Sequence, residues 1–248
     1  MNQIENVTIP ERTGEGRTCP VGNPKCDTYG NLIADGQYAG RCQCLRDRNA
    51  KALWRDFSHQ VGRMSGDDVL DALNRFNGCL TAILEAGRNA ISAGRGLIVA
   101  GGVGIGKTMG CLVLARWVLR DLNRETDIAK GGMFTSGREF SERTTDFRRG
   151  DTELSEAEEY IREMKQIGLL FFDDFTHLRG SEWVIHHFER VIAERHANRR
   201  LTIATTNKAP SVIMRDMPTA ATSRLFDPDW NEVLVLGSKY KDLRKEKP

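Results

Sequence analysis

The sequence predicts an α/β fold, a parallel sheet flanked by helices on both faces, preceded by a small cysteine-rich module. Three observations carry this expectation. Between Gly96 and Leu236, short apolar runs of strand length alternate with stretches of helical period, the pattern of strands buried on both faces. A glycine-rich loop stands between the first of these runs and the helix that follows it. Cys19, Cys26, Cys42 and Cys44 cluster ahead of all this, in a segment too small for a core of its own.

Composition sets the limits. The chain has 248 residues, 40% hydrophobic and 28% charged, enough for a core of ordinary size. Its formal net charge of +2 is too mild to imply a nucleic-acid partner by global electrostatics, so any basic surface must be local. The N-terminus MNQIENVTIPERTGEGR lacks the apolar stretch of a signal peptide. The longest apolar runs, LIVA and IGLLFF, fall far short of the roughly 20 residues a bilayer demands. A soluble cytoplasmic protein is expected, and there clustered cysteines point to metal or free thiols before disulfides.

The elements follow in order. Residues 1–46 show no helical period, and within them CPVGNPKCDTYGNLIADGQYAGRCQC spaces its cysteines C-x6-C, fifteen residues, C-x-C. Four thiolates in such a segment suit a tetrahedral Zn²⁺ that supplies folding energy; the alternative is reduced structural thiols. The first pair is wider than the usual zinc spacing, which makes Cys19 the least regular ligand. Helical periods cover Arg48–Met64 and Asp67–Ser92, with a linker near Ser65-Gly66, so the chain divides into an N-terminal module, 1–66, and a larger domain, 67–248. Leu53, Trp54, Phe57 and Val61 form an apolar stripe that either docks on the rest of the chain or recognises a partner.

Strand Leu97–Ala100 comes next, then the glycine loop, the helix Thr108–Asn123, strand Met133–Thr135 and a charged helical tract. Strand 168–172, a long helix over Ser181–Asn198, strand 201–205, a Pro-bounded helix Ser211–Met217 and strand 233–236 complete the series. On the long helix, Trp183, Val184, Phe188, Val191 and Ile192 form the core face. His177, His186, His187 and His196 lie around it, but adjacent residues of a helix point about 100° apart, so His186 and His187 do not share an ion.

Gly101, Gly106, Lys107 and Thr108 fit G-x-x-x-x-G-K-[ST] between a strand and a helix. In such a loop, Gly101, Gly102, Val103, Gly104, Ile105 and Gly106 wrap backbone N–H groups around the phosphates of ATP. Lys107 reaches the β and γ oxygens, and Thr108 offers its hydroxyl to Mg²⁺. GLLFFDD ends an apolar strand with two carboxylates, Asp173 on the metal side and Asp174 placed to polarise the attacking water. Asn207 follows the next strand in LTIATTN, and Arg224 follows a further helix in TSRLFD. Read from the residues alone, Asn207 is a turn cap and Arg224 a salt-bridging residue.

The order P-loop, DD, TTN, SRL resembles the AAA+ ATPases, and among them the DnaC-type helicase loaders and IstB-type transposition helper proteins. The resemblance covers about Gly96 to Lys241 and includes the ending VLVLGSKYKDLR. It implies an AAA+ ATPase in which Asn207 is a sensor of the γ-phosphate and Arg224 an arginine finger supplied to a neighbouring subunit, hence a ring or spiral oligomer. It also implies no C-terminal lid, because only 12 residues follow Leu236. Asp174 stands where related ATPases carry Glu, one methylene longer, so slow hydrolysis is expected. The function implied is that of a loader that binds a replicative hexameric DNA helicase and helps place it on single-stranded DNA; the alternative is a helper that directs a transposase to target DNA. A small-molecule kinase leaves TTN and SRL unexplained, and a nucleotide-gated adaptor would bind ATP without productive turnover.

Two basic groups, Arg138, Arg143, Arg148 and Arg149, then Arg195, Arg199 and Arg200, either track DNA phosphates in an assembled ring or face solvent. Phe140 and Phe147 flank the first group and either stack on bases or form one buried helix stripe.

Overall fold

The computed structural model describes residues 19, 25–26, 31–34, 37–41, 43–61, 77–120, 131–145, 151–178, 182–217 and 219–240. They fall into two compact units, Met1–Ala52 and Leu53–Pro248. In the small unit, β1 (Asn31–Ala34) and β2 (Gln37–Arg41) pair antiparallel, with an irregularity between Leu32 and Ile33, and Cys26 bridges onto Leu32. The sequence signal for this hairpin is the Asp-Gly pair between the two strands, a preferred hairpin dipeptide. Helix α1 (Gln43–Val61) begins five residues before the expected Arg48 and carries the chain into the large unit. The expected boundary at 66 lies outside the described residues.

The large unit is a sheet of five parallel strands. Along the chain come α2 (Asn77–Ser92), β3 (Gly96–Gly101), α3 (Lys107–Arg120), β4 (Gly132–Ser136), α4 (Gly137–Thr145), α5 (Asp151–Gln166) and β5 (Leu169–Asp173). After a 3₁₀ turn, Phe175–His177, there follow α6 (Glu182–Ala197), β6 (Leu201–Thr206), α7 (Pro210–Asp216), α8 (Ala220–Leu225) and β7 (Asn231–Leu236). The strand order is β4-β5-β6-β3-β7. Because β6 inserts between β5 and β3, the C-terminal ends of these three strands lie side by side, and ligand sites of open parallel sheets form at such ends.

Alternation along the strands builds two cores. Leu97, Val99, Phe171 and Ile203 face α2 and α3, packing with Ile83, Leu112, Leu114 and Val118. Ile98, Leu170, Phe172 and Ala204 face the other way, onto Phe140 of α4, Tyr160 and Met164 of α5, and Val184, Phe188 and Ile192 of α6. Each layer is what the near-continuous apolar strands require, since both faces of the sheet must leave water.

Three expectations are settled here. The α1 stripe docks on the chain itself: Trp54 and Phe57 are buried in the first core, Phe57 lies edge-on to Phe134 at 6.5 Å, and the Gln60 side-chain oxygen accepts a 2.8 Å bond from the Phe134 N–H. Phe140 is fully buried against Phe172 and Phe188, so it is a core residue and no base-stacking platform, while Phe147 lies outside the described residues. Arg195 must leave the DNA-facing set. It is completely buried, donating from Nη1 to the Met164 and Ile167 carbonyls at 2.7 and 2.9 Å, from Nη2 to the Leu201 carbonyl and from Nε to the Thr202 hydroxyl. It satisfies the C-terminal carbonyls of α5, groups a helix leaves open.

Candidate nucleotide site

The loop Gly101–Gly106 joins β3 to the N-terminus of α3, as the motif requires. Gly104 and Gly106 have φ of 79° and 92°, a backbone that residues with a Cβ rarely adopt, so the glycines there are a consequence of the loop's path. Lys107 opens α3 and is buried, its Nζ donating to the carbonyls of Gly101 at 2.9 Å and Gly102 at 2.6 Å and to Asn207 Oδ1 at 2.7 Å. Burial lowers the lysine pKa, opposed by the charges of Asp174 and Asp173. A buried ammonium whose hydrogens meet only neutral oxygens suits an anionic ligand.

At the end of β5, Asp173 Oδ1 accepts from the Thr108 hydroxyl at 2.8 Å and from the Thr205 hydroxyl at 2.6 Å. Burial raises the Asp173 pKa, and these two hydrogen bonds pull it back. A hydroxyl and a half-buried carboxylate in contact form a small oxygen donor set of the kind that holds Mg²⁺ alongside phosphate. Thr205 also accepts from the Asp174 N–H at 2.9 Å, so one β6 threonine fixes both acidic residues. Asp174 takes a left-handed backbone, φ 45° and ψ 52°, which turns its carboxylate toward β6. There its Oδ2 accepts from Asn207 Nδ2 at 2.5 Å and lies 2.5 Å from His177 Nδ1.

The site residues expected from the P-loop, DD and TTN motifs are therefore brought together: Lys107, Asn207 and Asp174 form one continuous hydrogen-bonded chain across β3, β6 and β5. Thr205 and His177 were not singled out from the sequence for this site. Thr205 was accessible as a residue of β6 two before Asn207, which follows the strand directly, so an extended chain there turns both to one side; His177 had no such cue. Arg224 stands apart, on α8 and half-buried, and its guanidinium makes no hydrogen bond or ion pair among the described residues. Val103, at the loop's tip, is exposed.

The remaining basic residues are held locally. Arg138 pairs with Glu142 and Arg143 with Glu139, one turn apart on α4, and Arg143 also lies over the Tyr160 ring. Arg199 donates to the Asp229 carbonyl and Arg200 to that of Lys165; Arg148 and Arg149 lie outside the described residues. The helix histidines do not converge: His177 meets Asp174, His196 meets Asp227, and the His186 and His187 rings are 5.9 Å apart at 69°.

In the small unit, the sulfurs of Cys19, Cys26 and Cys44 lie within 4.8 Å of one another, with Cys26 and Cys44 at 3.6 Å. Zinc–sulfur bonds of about 2.3 Å in a tetrahedron put sulfurs about 3.8 Å apart, close to the Cys26–Cys44 separation, and the trio is near enough together to hold one metal ion. Cys42 lies outside the described residues.

No family model matches the sequence, and no curated protein matches it. Solved structures do. Domain III of the replication initiation protein DnaA from Thermotoga maritima superposes with a TM-score of 0.50 at 23% identity, over 64% of this chain and 61% of that one. The DnaC helicase loader matches at 18% identity and TM-score 0.48, over 75% of this chain and 99% of that one. A replication initiator DnaA bound to AMPPCP and single-stranded DNA matches at 19% identity and TM-score 0.48, over 64% of this chain. The chain spans about half the length of the first two structures matched, 46% and 50%. Among the described residues, no helix is long and apolar enough to cross a membrane. The large unit is thus a parallel α/β fold whose first strand and helix are joined by a glycine-rich phosphate loop, and in fold it is similar to domain III of DnaA.

Proposed function

We propose that the protein is an ATP-dependent helicase loader, which binds a replicative DNA helicase and helps place it on single-stranded DNA. The observation that carries the ATPase half is the chain from Lys107 through Asn207 to Asp174, which links the phosphate loop to the hydrolytic carboxylate. The helicase half rests on the ordered motifs that resemble DnaC-type loaders.

In this reading Lys107 and the loop N–H groups hold the β and γ phosphates of ATP. Thr108 and Asp173 hold Mg²⁺, which when bound neutralises charge on the phosphate oxygens. Asp174 orients and deprotonates the attacking water, and Asn207 reports the γ-phosphate to Asp174. Arg224, which makes no ion pair among the described residues, acts across a subunit boundary in a ring or spiral, where its charge meets the neighbour's γ-phosphate. Cys19, Cys26 and Cys44, with Cys42 as the fourth ligand, would hold Zn²⁺, which would supply folding energy to the small module. Partner recognition belongs to residues 1–66, but Trp54 and Phe57 are withdrawn from it because they are core.

The test is ATP hydrolysis by the full chain with and without single-stranded DNA and the helicase, beside a pulldown of that helicase. Slow turnover that rises with either addition, together with helicase capture, is expected. Turnover that neither addition changes and a chain that captures no helicase would discard the loader reading.

A further inference from the structure

The turn after β5 is unusually constrained. Asp174 keeps its left-handed backbone although it carries a Cβ, a strain that surrounding structure must hold. Phe175 beside it is fully buried and stacked with Phe188 at 6.3 Å, and the His177 N–H closes the turn on the Asp174 carbonyl at 2.9 Å. Helix α4 closes on the same carbonyl: a Cβ on Gly137 would stand 2.6 Å from it, so only glycine fits there. The backbone that carries Asp174 is thus fixed on three sides.

What remains free is the carboxylate's rotation, and two nitrogens lie against one of its oxygens. Asn207 Nδ2 and His177 Nδ1 both lie 2.5 Å from Oδ2. Among the described residues, Oδ1 receives only the longer 3.3 Å bond of the Thr176 hydroxyl. We propose that His177 is a positioning residue of the nucleotide site, whose Nδ1–H, with Asn207, pins Asp174 Oδ2 so that Oδ1 is the oxygen that meets the attacking water. This rests on the reading of Asp174 as the hydrolytic base. Asn207 reaches Asp174 from β6 and His177 from the far side of the 3₁₀ turn, so the carboxylate is clamped from two elements. An aspartate, one methylene shorter than glutamate, gains reach only if its plane is set, and the histidine sets it. Its ring is more than half exposed, 55%, so it acts from the solvent side of the carboxylate and is open to substitution without loss of core.

The experiment measures steady-state ATP hydrolysis by the full chain as wild type, His177→Ala and His177→Asn, with Lys107→Ala as the zero. His177→Ala should lower kcat about ten- to a hundredfold with KM for ATP within about twofold, the signature of a misplaced group rather than lost binding. His177→Asn, which keeps a donor near the Nδ1 position, should recover most of the loss. Imidazole nitrogen NMR should find His177 as the Nδ1–H tautomer, and Asp174→Ala should abolish that preference. Turnover in His177→Ala equal to or above the wild type, or an Nε2–H tautomer in the wild type, overturns the assignment. Wild-type turnover no higher than that of Lys107→Ala instead sinks the ATPase reading itself, and the tautomer then decides alone whether His177 donates to Asp174.

Discussion

Asp174 is the residue on which most of the proposed chemistry turns. Asp174→Asn should keep nucleotide binding and lose hydrolysis by about 10²- to 10⁴-fold, since an amide cannot take the water's proton; ATP affinity and turnover measured side by side check it, and retained turnover would place the base elsewhere. A second residue, His187, carries a stability prediction. Its pKa is lowered to about 4 by burial, then by the charges of Arg190, His186 and Lys165. Between about pH 6.5 and pH 4 the unfolded chain therefore binds the proton that the folded chain refuses, so stability falls as pH drops through that window. Thermal unfolding across that range should show the loss, and His187→Gln should flatten it. At this scale the P-loop and the Asp pair were legible because their chemistry is written in consecutive residues. Arg195 was not, because its burial depends on the Met164 and Ile167 carbonyls at the end of α5, 31 and 28 residues away in sequence and neighbours only after folding.

Among the elements, α1 is the one whose meaning changed between sequence and structure. An apolar stripe on a helix states that something covers it and leaves open what does; here the cover is the chain's own first core. Phe57→Ala should therefore destabilise the large unit by about 3–5 kcal/mol, measured by urea unfolding. Helicase capture by whatever remains folded should be unchanged, and a folded variant that specifically loses the helicase would restore the stripe to recognition. The strands from β3 to β7 were found within a residue or two of their observed ends, because β3 and β5 are buried on both faces and read as apolar runs, and the others keep apolar residues at their centres. Helix α4 was hidden in a charged tract: Arg138, Glu139, Glu142 and Arg143 pair on its outer face, while Phe140, Ser141 and Thr144 make a narrow buried one.

For the whole molecule, the assembly and the metal are the open predictions. Mixing Arg224→Ala with Lys107→Ala protein should restore part of the activity that each lacks alone, because an interface can form between an intact loop and an intact finger; no recovery at any ratio, where the wild type is active and assembled, counts against a finger in trans. Elemental analysis of freshly purified protein should find one zinc per chain, and the absence of stoichiometric metal would leave the cysteine trio as packed thiols. Strand order could not be read from the sequence, although it decides which motifs meet: nothing in LTIATTN says that its strand inserts between the other two.

One consequence of that insertion concerns how nucleotide enters. An ammonium has three hydrogens, and those of Lys107 are all spoken for, two by the loop's own carbonyls and one by Asn207. Any anion that reaches this nitrogen must evict a tenant. Of the three, the amide is the one that also bonds Asp174, so an anion that displaces it changes the bonding at Asp174 in the same exchange. A side chain at 207 that bonds neither partner would leave the lysine open to an anion and Asp174 without word of it, so occupancy and signal part company at that one position.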